Sequence, residues 1–80
     1  MPRPLGHCLF DTAIGVCGLA WTDDALAAVQ LPETTPAATR ARLCRPFGEL
    51  PEAPPPPFVQ DAIRRIAGLL AGAHDDLRDL

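Results

Sequence analysis

Between Cys8 and Leu31 the chain alternates apolar residues with small or polar ones in three short runs, separated by turn residues at Gly15 and at Asp23-Asp24. A period of two puts successive side chains on opposite faces of an extended strand, so such a run buries a face only as part of a sheet. Residues 8 to 14 set Cys8, Phe10, Thr12 and Ile14 on one side and Leu9, Asp11 and Ala13 on the other. Residues 16 to 22 set Cys17, Leu19 and Trp21 opposite Val16, Gly18 and Ala20. From 26 to 31, Ala27, Val29 and Leu31 oppose Leu26, Ala28 and Gln30, and the first set is the expected core side. Connections this short cannot hold a crossover, so the three strands are expected to form an antiparallel meander.

Two helices are expected after the meander. Thr34 or Thr35 can cap a short one, because a hydroxyl accepts from an orphan amide, and Pro36 suits the first helical position, where no N–H is needed. This helix is expected to run to about Arg45 and to end at Pro46. From Phe47 to Pro57 the chain carries Gly48, Pro51 and the run Pro54 to Pro57, the composition of an extended, solvated polyproline spacer that joins no sheet. The second helix is read from Val59, Ala62, Ile63, Ile66 and Leu70, which fall at i, i+3, i+4, i+7 and i+11, with Ala67 and Leu69 widening the stripe. Asp61 opposes that stripe and can pair with Arg64 or Arg65. Gly68 is expected to let the helix approach the sheet closely, Gly72 to end it, and Leu77 and Leu80 to begin a further strand.

The expected architecture is therefore α+β, a small antiparallel three-stranded meander packed by one main helix plus a shorter helix. Residues 1–7 are read as an N-terminal tail and 8–80 as one domain, with the proline-rich connector 46–57 inside it. Eighty residues make one small core, which supplies only about 3 to 5 kcal/mol of stability. No apolar run approaches the roughly 20 residues of a membrane span, and the first residues lack a signal peptide's apolar stretch, so a cytoplasmic protein is expected. Cys8, Cys17 and Cys44 are odd in number and irregularly spaced, which argues for free thiols over a disulfide framework. The chain has no lysine, and its net charge of −3 gives no general attraction to a phosphate backbone.

Phe10-Asp11-Thr12-Ala13-Ile14-Gly15 resembles the first strand and tight turn of the amino-terminal domain of methylated-DNA-protein-cysteine methyltransferases, the 6-O-alkylguanine-DNA repair proteins. Gly18-Leu19-Ala20-Trp21-Thr22-Asp23-Asp24 is similar to that family's second strand and acidic turn, and Leu26 to Glu33, ending in Leu31-Pro32-Glu33, to the third strand. Pro57-Phe58-Val59-Gln60 through Leu69-Leu70-Ala71-Gly72 resembles the family helix, and Asp76-Leu77 the start of its next strand. The resemblance covers nearly the whole chain. Ala25 stands where the family commonly has Gly. The family's catalytic Pro-Cys-His-Arg motif lies in a carboxy-terminal domain and has no counterpart here, since Cys44 sits in Leu43-Cys44-Arg45-Pro46.

The resemblance implies a ribonuclease-H-like fold, truncated at the C-terminus, with no catalytic, cofactor-binding or metal-binding residue. It implies a chain that is inert alone and packs against a carboxy-terminal catalytic domain, meeting DNA only through that domain. There an alkylated guanine is flipped out of the duplex and its alkyl group passes irreversibly to a cysteine thiolate. The alternative is a free-standing interaction module that pairs with a separately encoded catalytic domain. In either case an exposed apolar face is expected.

Several side chains suggest other chemistries. Asp11, Asp23, Asp24 and Asp61 invite comparison with an acidic magnesium cluster, but turn aspartates and a solvated ion pair explain them. His7, Cys8, Cys17 and Cys44 suggest zinc, which some members of the family carry in this domain, yet no Cys-x-x-Cys pair exists and buried thiols are expected. His74 is read as tuning a helix end, and Trp21 as core or interface. Arg40, Arg42 and Arg45 are read as a solvated helix face.

Overall fold

The computed structural model describes residues 4–78, with side chains placed through Ala73. Three antiparallel strands, β1 (Gly6–Thr12), β2 (Gly15–Trp21) and β3 (Leu26–Gln30), form one sheet in that spatial order. Helix α1 (Pro36–Cys44) follows, then one 3₁₀ turn at Arg45–Phe47 and helix α2 (Pro57–Arg78). The molecule is thus α+β, with the three-stranded meander and the two helices that the sequence pattern implies.

Both turns are set by local chemistry. Thr12 pairs with Gly15 across the two-residue loop Ala13-Ile14. The Thr12 hydroxyl donates to the Gly15 carbonyl at 2.7 Å and accepts from the Ile14 amide at 3.3 Å. Gly15 has φ +128°, which side chains resist, and a methyl group there would also meet Pro32. At the second turn the Thr22 amide donates to the Ala25 carbonyl at 2.8 Å. Ala25 fits there because the turn needs no positive φ at that residue. Pairing slips just beyond it, from Ala20 opposite Ala28 to Trp21 opposite Leu26, so Ala27 is an extra, bulged residue on β3.

The sheet is covered on both faces. On one, Cys8, Leu19 and Trp21 form the core cluster with Val59 of α2, joined by Phe10, Ala62, Ile63 and Ile66. On the other, Gly18 lies so close under α1 that a methyl group on it would come within 2.9 Å of the buried Leu43 side chain. β2 is consequently buried from Cys17 to Trp21 on both sides. Thr35 caps α1 by accepting from the Ala38 amide at 3.0 Å, with Pro36 at the first turn. The buried Thr39 hydroxyl donates to the Thr35 carbonyl at 3.2 Å and accepts from the Glu33 amide at 2.9 Å, fixing the entry of the chain into the helix. Pro46 does not stop the chain abruptly, because Arg45 keeps a right-handed helical conformation and the backbone tightens into the 3₁₀ turn.

The connector departs from the expected spacer. Pro51, Glu52 and Ala53 run parallel to the outer edge of β1: the His7 amide donates to the Pro51 carbonyl at 3.0 Å and the Ala53 amide donates to the His7 carbonyl at 3.1 Å. Proline lacks a donor but keeps its carbonyl, and Ala53 supplies the amide that Pro51 cannot. The strand itself begins at Gly6, two residues before the alternation suggests, and stops at Thr12. His7 is drawn inside at 3 % exposure, and its Nδ1 is 3.0 Å from the Pro51 carbonyl. A carbonyl only accepts, so Nδ1 carries the proton and the buried Nε2 is left without a partner.

Helix α2 also departs from expectation. It runs through Gly72 to Arg78, so Asp76-Leu77 is helical and begins no strand; Leu80 lies outside the described residues. Glycine ends a helix when it takes a left-handed φ, and Gly72 does not. Gly68 faces open space, as does Gly72, so close approach to the sheet is not its role. Twenty-two residues of helix span about 33 Å, against about 23 Å for a seven-residue strand. The later turns therefore overrun the sheet, and Leu69, placed on the widened stripe, is 74 % exposed.

The face expected of β3 is reversed in burial. Val29 and Leu31 stay 49 % and 57 % exposed, whereas Ala28 and Gln30 are half-buried. Val29 shares the α2 face of the sheet with its neighbour Leu19, but α2 packs chiefly over β1, and α1 covers the opposite side of β3.

Two stability measurements check these assignments. Gly68→Ala and Gly72→Ala should each raise stability by about 0.5–1 kcal/mol in thermal unfolding, since alanine relieves the glycine penalty and meets nothing; a lowered midpoint would mean that the helix packs closely there. His7→Ala should cost about 2 kcal/mol in urea unfolding through the lost hydrogen bond and the void beside the connector; an unchanged midpoint would show that the connector docks without it.

Candidate functional site

An open groove of about 430 Å³ lies between β1 and α1, lined by Leu9, Pro36, Ala37, Arg40, Ala41 and Cys44. Its volume is in the range of small-ligand sites, and its walls are mostly apolar. Capped by Thr35, α1 turns Ala37, Arg40, Ala41 and Cys44 toward it at helical spacing. The only cation, Arg40, is engaged with Glu52 of the connector at 2.8 Å. Cys44 is half-buried at the groove, and burial pushes its thiol above the ordinary value, a rise that Arg40 only partly opposes. No imidazole or carboxylate lines the groove to take a proton from Cys44. Nucleophilic catalysis needs such a base or a lowered thiol pKa, and the groove supplies neither.

The residues weighed for other chemistry are dispersed. Asp11 is opposite Val16 near the start of β2, whereas Asp23 and Asp24 follow its far end. Asp61 is on α2, where one carboxylate serves both Arg64 at 3.3 Å and Arg65 at 3.0 Å. His7 and Cys8 project to opposite faces of β1, and Cys17 joins the Cys8 face, with the Thr12 hydroxyl 3.7 Å from its sulfur. Cys44 is on α1, across the sheet. Among the described residues no group of three His, Cys, Asp or Glu side chains could hold a metal ion. All three cysteines are free. Burial, with Glu52 nearby, raises the Cys8 thiol as well.

Trp21 belongs to the core cluster and stacks on no open surface. Of the α1 arginines, Arg40 and Arg42 are held by Glu52 and by Glu33, the latter at 3.6 Å, so the helix offers little free positive charge to a phosphate. The His74 side chain lies outside the described residues. Among the described residues no helix is long and apolar enough to cross a membrane.

Two residues that hold the groove's surroundings in place, His7 and Thr39, are not marked by the sequence pattern. His7 falls in the stretch expected to be tail, although alternation can be extended back to Gly6, and Thr39 carries no signal in the pattern of α1. Both act by holding irregular segments, which periodicity does not register. Comparison of the chain with protein-family models, with curated proteins and with solved structures finds no match.

The thiols give a test of the site's chemistry. Iodoacetamide at neutral pH should modify Cys44 slowly and Cys8 and Cys17 far more slowly still, by intact-mass and peptide analysis. A raised pKa means little thiolate at neutral pH, so the Cys44 rate should climb as the pH passes the ordinary thiol range. Fast labelling of Cys44 at neutral pH would reveal an activated sulfur.

Proposed function

We propose that this chain is a non-catalytic supporting domain of the kind found at the amino terminus of methylated-DNA-protein-cysteine methyltransferases, with a ribonuclease-H-like fold and a cytoplasmic role in DNA repair. Its partner is a carboxy-terminal catalytic domain, in the same reading frame or separately encoded, and DNA is met only through that domain. The observation that supports this reading most is element order: a tight-turned meander, an acidic second turn, a third strand followed by Leu31-Pro32-Glu33, a variable stretch that carries α1, and one long amphipathic helix. The continuous helix through Asp76-Leu77 departs from the resemblance.

A free-standing interaction module is the second reading, favoured by the exposed Leu26, Val29 and Leu31 along β3. An alkyl-transfer assay with a methylated oligonucleotide should leave all three cysteines unmodified. Stoichiometric labelling of any of them would overturn the scaffold role. A purified domain carrying Pro-Cys-His-Arg from the same or a neighbouring reading frame should bind this chain, and failure to bind would sink the supporting-domain reading.

A further inference from the structure

The two edges of the sheet are treated differently. The outer edge of β1 is occupied by Pro51–Ala53, through the amide and carbonyl of His7. These outward-pointing groups also fix the direction of their neighbours, because antiparallel strands alternate paired and outward residues. Cys8 and Leu19 face each other across β1 and β2, so Gly18 and Ala20 turn their backbone groups to Gln30 and Ala28 of β3. Val29, between the latter two, points its N–H and C=O away from the sheet. The chain still tracks β2 at Pro32, which lies against Gly15, so the open edge continues past Leu31.

This edge lacks the usual protection. No charged residue occurs from Ala25 to Pro32, whereas edge strands are commonly guarded by charge or by cover from another element. Leu26, Val29 and Leu31 add 41 %, 49 % and 57 % exposed apolar side chains beside it. Its ends are acidic, with the exposed Asp23 and Asp24 before the strand and Glu33 after it, against the single base Arg42. An antiparallel second copy would bring the acidic turn of each molecule against Glu33 of the other, which argues against self-pairing.

We propose that the outer edge of β3 receives an extended strand of a partner protein, apolar at alternate positions and basic at its ends, which pairs with the Val29 backbone and sets its charges against Asp23, Asp24 and Glu33. Backbone pairing supplies affinity without sequence preference, and the apolar shelf and acidic ends select the partner. The inference is independent of the scaffold reading, and its test does not involve alkyl transfer.

The whole chain is titrated calorimetrically with two short peptides alternating valine and threonine, one ending in arginines and the other in glutamates. The arginine peptide should bind at least about tenfold tighter at low salt, with the gap closing at high salt as screening removes the end charges. Val29→Pro deletes the outward N–H, which β2 does not use, and should reduce binding about tenfold or more. Val29→Lys keeps the backbone donor and guards the edge with charge, so it should weaken binding too, and it decides the matter if the proline variant unfolds. Equal affinity for both peptides, no affinity for either, or binding unaffected by the lysine variant would overturn the proposal. So would sedimentation showing that the chain alone forms dimers that Val29→Lys dissociates, since a second copy would then fill the edge.

Discussion

The backbone exchange between His7 and the Pro51–Ala53 segment holds the two halves of the molecule in register. α1 lies on one face of the sheet and α2 on the other, so the chain must pass around an edge between them. It does so at β1, and there the His7 amide, carbonyl and ring Nδ1 all engage the connector. Gly6 makes the passage possible: a methyl group there would come within 3.0 Å of Ala53 and 3.1 Å of Trp21. The Arg40–Glu52 ion pair adds a second tie between α1 and the same segment. Both partners are substantially exposed, so it contributes at most about 1 kcal/mol, and the backbone pairing dominates.

With the connector in place, β2 becomes the centre of a three-layer molecule. Leu19 and Val59 are wholly buried on the α2 side, and Leu43 closes on Gly18 from the α1 side. Each large aliphatic side chain so buried is worth about 1.5–3 kcal/mol. With so few of them, the fold relies on satisfied polar groups at its seams, and Thr12, Thr35 and Thr39 each close a turn or a helix entry with the hydroxyl. Hydroxyls of this kind do not lengthen an element; they define where it begins.

Much of this was legible in the residues themselves. Period-two alternation located three strands, a threonine at 34 or 35 before Pro36 located the start of α1, and the Val59–Leu70 spacing located α2. What escaped notice depended on long-range contact. The connector looked like a spacer because proline suppresses donors, but three residues of edge pairing need only one amide on its side. Val29 and Leu31 were expected in the core because alternation sets them, with Ala27, on one side of the third strand, yet burial depends on what lies above a face, and α2 packs chiefly over β1. Gly72 looked like a stop signal, although glycine ends a helix only by adopting the left-handed conformation. The candidate site was less legible than the fold, since the groove against α1 arises from how a helix sits on a strand and carries no motif.

The sheet is engaged by its own chain at the start of β1, through His7, and bare along β3. Ordered fibrils grow when each added molecule offers a fresh template on its far side, and here the connector stands across the first residues of that side. The connector thus narrows, at the start of β1, the template that copies of the chain would need in order to stack edge to edge.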